Sequence, residues 1–106
     1  MITDDKMESA LEYLATTDKS WAQAKAAVEA MNYARKSIRA EIKLEKEGAN
    51  NMREDIAEAS ETYKKACRDH TDAIYEFALI DARRKSAELR IEVWRSQNAS
   101  RRRGNL

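Results

Sequence analysis

Cys67 and His70 stand three residues apart, a spacing that puts a thiol and an imidazole on one face of a helix. Both groups are metal donors, but zinc takes four protein ligands, or three and a water. Asp69 and Asp72 point elsewhere, and the Glu-x-x-His pairs of di-iron bundles are absent. His70, the one histidine, reads instead as a seam residue bonded to a carboxylate. Acid pairs are plentiful, among them Glu54-Asp55, Glu58 with Glu61, and Asp69 with Asp72. Paired carboxylates can do acid–base work. On a charged helix they read as partners of Lys or Arg four residues away, as Glu61 is of Lys65. Gly48 and Gly104 stand alone, so no glycine-rich loop can cradle a phosphate. Ser9 and Ser20 have no base beside them. The expectation is a chain that is not an enzyme, with no catalytic residue, cofactor, metal or small-molecule substrate.

Charge is the one asymmetry with chemical content. The 20 basic and 19 acidic side chains nearly cancel, yet residues 1–16 are net −3, residues 17–82 net −2 and residues 83–106 net +6. Arg83, Lys85, Arg90, Arg95, Arg101, Arg102 and Arg103 are the candidate contacts to nucleic acid or to an acidic protein partner; Arg84 is the eighth base of that stretch. Such a cluster binds phosphate backbones by releasing counterions, without sequence preference. Trp94 and Tyr75 are not interleaved with the arginines, so base stacking is not indicated. The competing reading is that arginines complement the negative end of a helix dipole.

Those side chains need elements to hold them, and composition points to helix. Ala, Lys, Arg, Glu and Leu make up 56 of 106 residues, proline is absent, and turn residues are scarce. Thr3 can cap a first helix, with Asp4 and Asp5 at its positive end. Thr16-Thr17-Asp18 reads as a break, so residues 3–15 form either a short helix or an extension of the next arm. Residues 18–47 form a long helix ending at Gly48. Asn51 and Glu54 have capping-box spacing, and residues 52–98 form a second long helix before a basic tail at 99–106.

Seam positions recur in alternating steps of three and four. In the second arm they are Ile56, Ala59, Tyr63, Ala66, His70, Ala73, Phe77, Ile80, Arg84, Ala87, Ile91 and Trp94. The first arm carries Met7, Ala10, Leu14, Thr17, Trp21, Ala24, Val28, Met31, Arg35, Ile38 and Ile42. The fold class is therefore all-α: one domain, an elongated antiparallel hairpin in which paired residue numbers sum to about 99. In that register Arg84 reaches Asp18, and Arg35 stacks on Tyr63.

Further apolar stripes remain, through Ala22, Ala26, Tyr33, Ala40 and Leu44, and through Cys67, Ile74, Ala78, Leu89 and Val93. A second copy is the simplest cover, which gives a homodimeric helical bundle. No run of apolar residues is long enough for a membrane span. The acidic start is unlike a secretory signal, and a single cysteine suits a reducing, cytoplasmic compartment.

The stretch from Ala87 to Asn98, followed by Arg101-Arg102-Arg103-Gly104-Asn105, resembles short helical proteins of bacteriophage early and recombination gene clusters. The segment Thr17-Asp18-Lys19-Ser20-Trp21-Ala22 before a Lys- and Ala-rich helix has the same character. The resemblance spans most of the chain, carries no diagnostic motif and transfers no functional residue. It implies a phage origin, a host-cell cytoplasmic location and an accessory role in DNA recombination or replication. Phage nuclease inhibitors of the lambda Gam type are also long-helix dimers, so an inhibitor of a host nuclease or defence enzyme is the alternative, with a structural assembly protein the third.

Overall fold

The computed structural model describes residues 1–104. They form three helices: α1 (Asp4–Glu45), α2 (Asn50–Ala59) and α3 (Glu61–Gly104). No strand occurs among the described residues, and the chain is all-α. Expected as one domain, it packs as two units, Met1–Ala22 with the chain from Ala78 onward, and Gln23–Phe77.

In the first unit the start of α1 lies antiparallel to the end of α3. The amide of Ile2 donates to Gln97 (3.1 Å), and Trp94 Nε1 donates to Asp4 (2.8 Å). Ala10, Ala87 and Ile91 are buried, with Met7, Tyr13 and Leu14 packed around them. Facing alanines let the backbones approach closely, and Ile91 supplies the bulk. Thr3 caps α1 as expected, its hydroxyl accepting from the amide of Lys6 (3.2 Å).

In the second unit the rest of α1 pairs with α2 and the start of α3. Arg39 meets Glu58 at 3.1 Å and Lys43 meets Glu54 at 3.3 Å. Ala57 and Ala66 are buried here, while Val28, Met31, Ile38, Ile42 and Tyr63 are half-buried. Gly48 makes the turn with φ of +116°, a value that side chains other than glycine rarely adopt. These pairs sum to 97, and Arg84–Asp18 in the first unit sums to 102, close to the expected 99.

Four local expectations are corrected. Thr16–Asp18 does not break the helix: the Thr16 and Thr17 hydroxyls donate back to the carbonyls of Glu12 (2.9 Å) and Tyr13 (2.6 Å), which keeps both threonines helical. α1 is therefore continuous, and it ends at Glu45 rather than residue 47. The second arm, expected whole over 52–98, is divided at Ser60, whose backbone is extended (ψ 138°). The Ser60 hydroxyl accepts from the amide of Tyr63 (3.1 Å), so it caps α3. Beyond residue 98 the basic tail continues the helix through Gly104; Asn105 and Leu106 lie outside the described residues.

The capping box does not form either. Ala49 is the cap residue of α2 and offers no side-chain bond. Glu54 is instead drawn to Lys43 and Asn50, both at 3.3 Å. The interruption at Ser60 also shifts the seam. Ala57 takes the inward position and Ile56 is left 38% exposed.

Candidate nucleic-acid interface

Helix α3 carries every basic candidate, and neighbouring side chains sort them. Arg84 is turned inward with its side chain 16% exposed. Its guanidinium donates to the Leu14 carbonyl (2.9 Å), the Thr17 hydroxyl (2.8 Å) and Asp18 (2.7 Å). It also lies 6.0 Å from the centre of the Trp21 ring. Seam position explains this: Arg84 is four residues from Ile80 and three from Ala87, and the side chain must find its partners on α1.

Lys85 is exposed but bound to Asp81 at 2.7 Å, and Arg95 is bound to Glu92 at the same distance. Trp21 Nε1 donates to Asp81 as well (3.0 Å). The hydrogen bonds from Lys85 and then Trp21 hold the Asp81 carboxyl below its ordinary range. The same bond to Asp81 holds the Lys85 ammonium above its own. Lys85 and Asp81 thus form a pair one turn apart on α3, with the Lys85 side chain still largely exposed.

Arg83, Arg90, Arg101, Arg102 and Arg103 are exposed and make no ion pair among the described residues. Arg83, Arg90 and Arg101 are separated by seven and then eleven residues, close to two and three helical turns, so they share a face over about 27 Å. Tyr13 of α1 sits beside Arg83, Ser86 and Arg90 in a shallow groove that continues past Lys6 and Ser9, with Asp5 as its one acid. Charge asymmetry had pointed to this helix. Tyr13 and Lys6 were not legible as parts of the site, because they lie some 70 residues away and only pairing of the helices brings them near.

Trp21, Phe77, Ile80 and Trp94 are half-buried and Ile91 is buried. Arg35 does not stack on Tyr63 as expected; it donates to Asn32 one turn back (2.9 Å), a nearer partner. Cys67 and His70 are half-buried, and no group of three or more metal donors gathers among the described residues. No described helix is long and apolar enough to cross a membrane. The chain matches no protein-family model, no curated protein and no solved structure.

Proposed function

We propose that this chain is a non-catalytic interaction protein that contacts a nucleic-acid backbone through the Arg83–Arg90–Arg101 face of α3. The observation that carries the reading is selective pairing. Arg84 is tied to Asp18 across the helix pair, and Lys85 and Arg95 are paired with acids of their own helix, whereas Arg83 and Arg90 line an open groove with Tyr13 and form no ion pair among the described residues. Unpaired arginines at helical spacing suit phosphates, which carry no sequence information. The setting that fits best is the cytoplasm of a phage-infected host, beside recombination or replication enzymes, with a second copy covering the exposed apolar side chains.

Fluorescence anisotropy with labelled duplex and single-stranded oligonucleotides tests this. Binding should weaken steeply with salt, and Arg83→Gln with Arg90→Gln should reduce the log–log salt slope by about two on a duplex. Removing Arg101 onward should reduce it further. Salt-insensitive binding, or none at low salt, overturns the reading.

A second reading, a protein inhibitor of a nuclease or defence enzyme, draws on Leu89 and Leu44, which are 64% and 82% exposed. It expects stable co-purification with one host enzyme and no affinity for nucleic acid.

A further inference from the structure

A second group of cations gathers in the Gln23–Phe77 unit, remote in sequence from the face proposed above. The end of α1 and the start of α2 border an open cleft of about 350 Å³, lined by Lys36, Arg39, Lys43, Asn50 and Arg53 beside Leu44. Arg39 and Lys43 are tied to Glu58 and Glu54. Lys36 and Arg53 form no ion pair among the described residues, and Arg53 Nε is buried without an acceptor. Four cations against two carboxylates leave the cleft at net +2. Like charges along one concave wall focus a positive potential into it. Helix α2 adds to that field, because its first turn has no acidic residue and its cap residue makes no side-chain bond.

We propose that this cleft binds a phosphate-class oxyanion, with Lys36 and Arg53 in direct contact and Arg39 and Lys43 supplying field. A phosphate dianion, or two neighbouring phosphodiesters, matches the net charge, whereas a single carboxylate leaves one cation unbalanced. The guanidinium supplies a planar fork and the ammonium a point charge, the two donor types that phosphate oxygens accept. The site is independent of Arg83 and Arg90, so either surface can fail alone.

A 15N NMR titration of the full chain with inorganic phosphate, against chloride at equal ionic strength, tests it. The expected result is saturable shifts at the Asn50, Asn51 and Arg53 amides and at Arg53 Nε–H. Arg53→Gln and Lys36→Gln should each weaken binding about tenfold, the loss of one charge-assisted hydrogen bond, and Arg83→Gln should leave it unchanged. Circular dichroism establishes that each variant is folded; exposed Lys36 serves if the Arg53 variant is not. A short oligonucleotide separates the sources. Shifts of the same amides with it assign a phosphodiester backbone, shifts with inorganic phosphate alone assign a free phosphate, and either outcome supports the site. Absence of saturable shifts with both probes overturns it. So do variants that bind phosphate as the parent does but melt at lower temperature, since the cations then only offset the negative end of α1.

Discussion

Arg84 is the residue on which helix pairing in the first unit turns. Its three bonds to Leu14, Thr17 and Asp18 anchor α3 to α1 at one longitudinal position. Replacing it with Met keeps the aliphatic stem and removes every bond. The expected cost is about 1–3 kcal/mol by urea denaturation, set by charge-assisted hydrogen bonds at a partly exposed site. Asp81 makes a different prediction. Its carboxyl is held low in the folded chain, so its contribution is present above the unfolded value of about 3.9 and is lost as pH falls through the folded value. Lys85 is held high, so its contribution is complete below about 10.4 and is lost as pH rises through the folded value. Urea midpoints of Asp81→Asn should therefore fall less steeply between neutral and acidic pH than those of the parent chain. The Arg84–Asp18 pair was legible in the sequence because Arg84 is a polar residue in the seam and the hairpin register sets it opposite Leu14 to Asp18. The bond from Trp21 to Asp81 was not, since Trp21 reads as an apolar seam residue and its spacing says nothing of where the indole N–H donates.

Helix boundaries show where periodicity stops being informative. Seam steps pass from Ile56 through Ala59 to Tyr63 without a missed beat, although the helix is interrupted between them at Ser60. Spacing extrapolates one unbroken helix, so it sets Ile56 inward where Ala57 is buried, whereas an interruption depends on one hydroxyl capturing one amide. Ser60→Ala should cost about 0.5–2 kcal/mol in thermal or urea unfolding, the usual range for a lost cap. A loss near zero would show that the Ser60 hydroxyl does not hold the start of α3. The converse holds at Thr16–Asp18, where hydroxyl residues have the composition of a breaker. Their side chains bond the preceding turn of their own helix, so the same chemistry that ends a helix elsewhere continues it here. Gly48 was legible because a positive φ leaves few alternatives to glycine.

At the scale of the whole molecule, what is covered and what is left bare determine partner choice. Leu89 and Val93 are exposed in one unit, and Tyr33, Leu44 and Ile74 in the other. The expected assembly is a dimer, which light scattering checks: a mass near 12 kDa at every micromolar concentration would exclude it. The antiparallel pairing was legible from the two seam patterns on either side of Gly48. The candidate surface was legible only as a charge gradient. Which arginines are free depends on which acids the fold places beside them, and that is a property of three-dimensional pairing.

Four of the five buried residues are alanines, and no large side chain among the described residues is fully enclosed. That restricts the heat capacity of unfolding. Little hydrocarbon passes from dry to wet when such a chain melts, so the increment should fall below the roughly 1.4 kcal/mol/K usual for a chain of this length. Calorimetry on dilute protein should show a weakly curved stability profile, its maximum displaced to low temperature. A chain built in this way goes on gaining stability as it cools, and cold inactivation should be absent down to freezing.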